Sequence, residues 1–90
     1  MNTDFKTSFG KTLKKITDKS IKSEIKQAIL SVEGAMTIQD IPELKKLKGY
    51  RKGNFYRIKV RDYRIGITIE NNLVTFYVAL PRKDIYKFFP

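Results

Sequence analysis

The chain has 90 residues, 41% of them hydrophobic and 12% aromatic, with 19 Lys and Arg against nine Asp and Glu, and neither Cys nor His. That length allows one small domain, 1–90, with a single modest core, and the lack of an apolar run of about 18 residues removes a membrane span. Without Cys or His there can be no zinc finger, iron–sulfur cluster, disulfide, thiol nucleophile, Ser-His-Asp triad or His acid–base pair, so any catalysis falls to Lys, Arg, Tyr, Asp or Glu.

No cofactor is expected. The opening Met-Asn-Thr-Asp-Phe-Lys lacks a hydrophobic signal region, which predicts a cytoplasmic protein. The formal charge of +10 is unevenly spread: residues 1–44 carry seven basic and six acidic side chains, residues 45–90 twelve and three. A one-sided basic surface on so small a chain is the footprint of a polyanion partner, although a solvated basic surface would look the same in composition.

The N-terminal half reads as helices. Phe5, Phe9, Leu13 and Ile16 recur at spacings of three and four, with Lys6, Lys11, Lys14 and Lys15 around them. A brief strand before Thr7 also fits. Ile21, Ile25, Ala28, Ile29 and Val32 form a second stripe, with Asp18 as N-cap and Gly34 as stop. Two short amphipathic helices with a tight connection predict an antiparallel helical hairpin. Residues 35–54 read as irregular, with Pro42 as breaker, Gly49 and Gly53 as turn formers and Leu44 and Leu47 pinned to the core. Lys45, Lys46, Lys48, Arg51 and Lys52 face water there.

From Phe55 the period becomes two and predicts strands at about 55–60, 63–70 and 73–80. An Asn71-Asn72 turn puts Ile69 opposite Val74, Ile67 opposite Phe76, Ile65 opposite Val78 and Tyr63 opposite Leu80. An Arg61-Asp62 turn puts Val60 opposite Tyr63, Ile58 opposite Ile65 and Tyr56 opposite Ile67. Both registers place the apolar residues on one face. The other face carries Phe55, Arg57, Lys59, Arg64, Gly66, Thr68, Thr75 and Tyr77, without a carboxylate. Lys59 directly across from Arg64 is a destabilising like-charge pair unless an anion arrives.

Such a face is suited to RNA. Clustered cations lower one another's pKa, so a lysine there can take a proton from a 2′-OH. Arginine presents a fork to phosphate, and an aromatic ring can stack on an unpaired base. DNA, lacking the 2′-OH, could be bound but not cut in this way. Beyond the last strand, Arg82 and Tyr86 stand four apart on a short C-terminal helix and point in one direction, unless Tyr86 instead packs with Ile85 and Phe89.

Three stretches, Leu44-Lys-Lys-Leu-Lys-Gly49, Tyr56-Arg-Ile-Lys-Val-Arg-Asp-Tyr-Arg-Ile-Gly66 and Arg82-Lys-Asp-Ile-Tyr86, together resemble the RelE/ParE superfamily of toxins from bacterial type II toxin–antitoxin systems. The resemblance covers essentially the whole chain. It implies an α+β fold: an N-terminal helical hairpin on an antiparallel three-strand meander, a short extra N-terminal strand, and a short C-terminal helix. It also implies a metal-independent mRNA endoribonuclease that acts on the ribosome and is neutralised by a cognate antitoxin. ParE-like members, by contrast, poison DNA gyrase, and a relative that binds RNA without cutting it is a further alternative.

By position, the resemblance assigns the basic pair to Arg57 and Lys59, phosphate stabilisation to Arg64, the role of general acid or leaving-group stabiliser to Arg82, and base stacking or orientation to Tyr86. Arg61 would hold RNA backbone, and Lys48, Lys52, Tyr77 and Lys83 complete the RNA-binding set. Pro81 stands where many relatives have His, which implies a mechanism of the Lys/Arg type. The antitoxin would be acidic and partly disordered, and Leu73, Phe88 and Phe89 are its candidate docking points unless they serve local packing.

Overall fold

The computed structural model describes residues 1–47 and 54–90. The readings made for Lys48, Gly49, Arg51, Lys52 and Gly53 lie outside the described residues. In chain order the elements are strand β1 (Asn2–Phe5), helices α1 (Thr7–Lys14) and α2 (Lys19–Gly34), a 3-10 turn (Ile38–Asp40), strands β2 (Leu44–Lys46), β3 (Phe55–Val60), β4 (Tyr63–Glu70) and β5 (Leu73–Pro81), and helix α3 (Arg82–Phe88). The strands form one sheet in the order β1-β5-β4-β3-β2, with β1 parallel to β5 and the other pairs antiparallel. Among the described residues no helix is long and apolar enough to cross a membrane.

The α+β architecture and the meander are as the sequence predicts, with three differences. Residues 44–46 are not irregular: they form β2, a three-residue edge strand paired with Tyr56, Arg57 and Ile58. Short, lysine-bearing edge strands resist pairing with other chains. Phe5 belongs to β1 rather than to the helical stripe, its ring stacked 4.9 Å from that of Phe76. The third difference is a register shift between Gly66 and Ile67, which leaves Tyr77 as an extra residue on β5. Ile69–Val74 and Ile67–Phe76 pair as expected, but Ile65 faces Ala79 and Tyr63 faces Pro81, in place of Val78 and Leu80.

This bulge settles how the outer edge of β5 is covered. β1 ends at Phe5, opposite Phe76, and α1 takes over from there. The amide of Lys6 donates to the Phe76 carbonyl at 2.9 Å, Ser8 Oγ donates to the Tyr77 carbonyl at 2.6 Å, and Thr12 Oγ1 accepts the Ala79 amide at 2.9 Å. Backbone groups exposed by the end of β1 are therefore satisfied by the Lys6 amide and by side chains of α1.

The helices start and stop for local reasons. The Asp18 carboxylate caps α2, accepting the amides of Ser20 at 2.8 Å and Ile21 at 3.3 Å, and also the Ser20 hydroxyl. These bonds, the Ser20 hydroxyl's first, hold the carboxyl below its ordinary pKa of 3.8. Helix α2 ends at Gly34, after which Ala35 is extended. Both residues of the Asn71-Asn72 turn have positive φ, 49° and 64°, as a type I′ hairpin requires.

Two apolar clusters lie on opposite faces of the sheet. On the helical face, Phe9, Ile16, Ile25 and Val32 pack against Ile58, Val60, Ile65, Ile67, Ile69, Val74, Phe76 and Ala79. On the other face, Leu47, Ile85 and Phe89 are buried against Phe55, Tyr77, Val78 and Leu80. The face read as an open basic surface is thus half covered. The bulge turns Val78 and Leu80 towards α3, and the Phe89 ring sits between Phe55 at 5.7 Å and Tyr77 at 5.6 Å. Gly66 lies directly beneath it, where an added Cβ would come within 2.7 Å of the ring. Phe89 is therefore core and not a docking residue, while Phe88 is 68% exposed and Leu73 38% exposed.

Gly66→Ala should cost about 1–3 kcal/mol through overpacking. In a Phe89→Leu background the same substitution should cost clearly less. Urea unfolding of the four proteins measures both, and equal costs in the two backgrounds would mean that the ring does not set the need for glycine. For Asp18, a lowered folded-state pKa means that stability is present above the ordinary carboxylate range and is lost as pH falls through the lowered value. Asp18→Ala should therefore melt below the native protein at pH 7, and thermal melts should show that gap closing under acid.

Candidate functional site

Four elements converge beside the β3–β4 turn. Arg57 and Lys59 lie on the same face of β3, and Lys59 is the ladder partner of Arg64 on β4. Pro81 pairs with Tyr63, and the amide of Arg82 donates to the Asp62 carbonyl at 2.7 Å, which brings the start of α3 back over the turn. Arg82, the first residue of α3, and Tyr86, four further on, share one side of that helix. With Asp62, Pro81 and Lys83 they line an open groove. Tyr86 is 57% exposed, which separates it from the packing of Ile85 and Phe89.

Arg64 is the buried member, with 6% of its surface exposed. Its Nη1 donates to the carbonyls of Arg61 at 2.7 Å and Tyr63 at 2.9 Å. Burial pulls its pKa below the ordinary arginine value, and the neighbouring Arg57 and Arg82 cations pull it further, with Tyr86 and Asp62 opposing. Arg57 is half-buried. Its Nη1 reaches the Glu43 carbonyl at 3.4 Å, while its Nε is buried with no hydrogen-bond partner. Among the described residues, the ion pair found joins Arg61 to Glu24, and none neutralises Arg57, Arg64 or Arg82.

A buried Arg64, a half-buried Arg57 and an exposed Arg82 thus share a corner in which, among the described residues, no carboxylate forms an ion pair with any of them. The buried Arg57 Nε without an acceptor calls for an explanation. The oxygens of a phosphodiester are acceptors suited to arginine forks. The exposed Tyr86 ring at the lip offers a stacking surface for a base.

The structure therefore brings together Arg57, Lys59, Arg64, Arg82 and Tyr86, with Lys83 on the groove. It does not add Arg61, whose side chain turns to α2, pairing with Glu24 and donating to Ser20 Oγ at 3.2 Å. Nor does it add Tyr77, whose ring packs on Phe89, with Lys6 Nζ 5.7 Å from its centre. Lys48 and Lys52 lie outside the described residues. Sequence reasoning missed the roles of Glu24 and Ser20, which lie about 40 residues before Arg61 and carry no local signal. It also missed the cover over Gly66, for which the isolated glycine inside a strand was a usable sign.

No family model matches this sequence. A curated relative, Toxin RelE3 of Methanocaldococcus jannaschii, is 38% identical over 87 residues, covering 96% of each chain. The solved RelB–RelE antitoxin–toxin complex from Methanococcus jannaschii matches with a TM-score of 0.79 at 36% identity, over 97% of this chain and 99% of that one. The Staphylococcus aureus YoeB dimer shares the fold, with a TM-score of 0.71 at 18% identity over 89% of this chain and 94% of that one. A chain similar to RelE3 over nearly its full length, with the basic corner built on that fold, belongs to the RelE family and is the toxin of a type II toxin–antitoxin system, a family whose known activity is RNA cleavage.

Proposed function

We propose that this toxin is a metal-independent endoribonuclease that cuts mRNA on the ribosome and so arrests translation. The observation that carries this reading is the buried Arg64 guanidinium, flanked by Arg57 and Arg82 and, among the described residues, in no ion pair with a carboxylate.

In this mechanism the 2′-OH attacks its own 3′-phosphorus in line. Lys59, across the ladder from Arg64, takes the hydroxyl proton. Arg64 and Arg57 hold the non-bridging oxygens as charge gathers on them, and Arg82 stabilises the departing 5′-oxygen, which takes its proton from water. The products are a 2′,3′-cyclic phosphate and a 5′-hydroxyl. Tyr86 stacks on a neighbouring base and fixes the in-line geometry. Lys83 holds backbone beside it on the groove. Groups aimed at developing charge in a partly dry site need no reorganisation as the reaction proceeds. The partner that restrains the toxin is a cognate antitoxin, a reading supported by the RelB–RelE complex matching nearly the full chain.

Arg64→Met and Arg82→Ala should each lower the single-turnover cleavage of ribosome-bound mRNA by ~10²–10³, by analogy with loss of an oxyanion donor. Arg64→Met should do so without loss of thermal stability, because an apolar side chain of similar volume replaces a buried cation that the fold leaves unneutralised. A 2′-deoxy nucleotide at the cleaved position should block the native enzyme, and EDTA should not. Cleavage of the deoxy substrate, full activity of both variants, or DNA damage with intact mRNA in expressing cells would each contradict the reading.

A further inference from the structure

The β3–β4 turn does more than join two strands. Its carbonyls hold both sides of the basic corner: those of Arg61 and Tyr63 accept from Arg64 Nη1 at 2.7 and 2.9 Å, and that of Asp62 accepts the amide of Arg82 at 2.7 Å. The aim of one guanidinium and the path of the helix that carries Arg82 and Tyr86 therefore depend on three consecutive peptide groups. Arg61 itself has a φ of 52°, in the left-handed region that a residue with a side chain adopts uncommonly. The two-residue turn between the paired Val60 and Tyr63 itself calls for that φ at its first residue, and the side chain that leaves the turn there is held on α2. Its Nε pairs with the Glu24 carboxylate and its Nη1 donates to Ser20 Oγ at 3.2 Å. Ser20 is in turn bonded to the capping carboxylate of Asp18 at 2.7 Å.

We propose that the Glu24–Arg61 pair is a positioning device that lets α2, on the opposite side of the sheet, keep Arg64 and Arg82 aimed at the phosphate. Arg61 and Glu24 are then positioning residues and not RNA contacts. The kinetic consequence rests on the ribonuclease reading; the geometric one does not. The two side chains are 55% and 44% exposed, so their pairing adds little to global stability. Their effect falls on geometry, where small displacements of catalytic groups are costly in rate.

The experiment is a double-mutant cycle with two readouts. Glu24→Gln and Arg61→Gln should each slow cleavage of ribosome-bound mRNA about threefold to tenfold with KM unchanged, and the double variant should be no slower than either single one, as expected for two residues acting as one unit. The exchanged pair, Glu24→Arg with Arg61→Glu, should recover part of the rate. Independently of RNA, NMR of the Arg64 guanidinium should show faster hydrogen exchange in both single variants than in the native protein. If Arg61→Gln raises KM while Glu24→Gln leaves rate and exchange unchanged, Arg61 is an RNA contact and the proposal fails. It fails equally if Arg64 exchange is the same in all forms. A native protein that cuts no RNA would overturn the ribonuclease reading, and the exchange measurement would still decide the positioning role.

Discussion

The guanidinium of Arg64 is taken out of water, yet its hydrogen bonds go to the carbonyls of its own hairpin turn and not to a carboxylate. Burying a charge is costly unless it is paired. Here the cost is raised by the Arg57 and Arg82 cations alongside, which push in the same direction as burial. The arrangement is stable only because the rest of the fold outweighs it, and in the proposed function the missing counter-charge is the one that an RNA phosphate brings. Binding that relieves a strained electrostatic arrangement of the free protein also stabilises the folded state, by RT ln(1 + [L]/Kd). Trading stability for a poised site is a common feature of functional centres.

The scaffold around that charge follows from one irregularity in β5. The extra residue at Tyr77 moves Ala79 onto the helical face, turns Val78 and Leu80 to the other, and so gives the C-terminal segment something apolar to fold onto. Phe89 closes the second cluster by sitting on Gly66. Ile85 and Phe89 anchor α3 there, leaving Arg82 and Tyr86 free on its outer side above Arg64. The hydrophobic half of this face positions its charged half. From the opposite side of the sheet, α2 reaches the same corner through Glu24, Ser20 and the Arg61 turn.

Much of this was legible in the residue order because the hairpin registers were overdetermined. The β3–β4 pairs Val60–Tyr63, Ile58–Ile65 and Tyr56–Ile67 occur as alternation predicts, and with them the juxtaposition of Lys59 with Arg64. The bulge was not legible, since Tyr77-Val-Ala-Leu-Pro81 is apolar at every position and alternation has nothing to report. Strand β2, with two lysines in three residues, owes its existence to the edge of β3 that it pairs with, and propensity alone does not reveal it. The direction of the Arg61 side chain was not legible for a related reason. A basic residue in a turn beside a basic face looks like part of that face, and only the packing of α2 shows that its side chain points the other way.

The central claim is that Arg57, Arg64 and Arg82 converge on RNA phosphate. Its most direct test is the binding of a single-stranded RNA made non-cleavable by 2′-deoxy substitution, measured for the native protein and for the three Arg→Met variants across a salt series. Each lost phosphate contact should flatten the slope of log K against log salt by about 0.7. Variants that keep the native slope, with affinities unchanged or lowered equally at every salt concentration, would contradict the account.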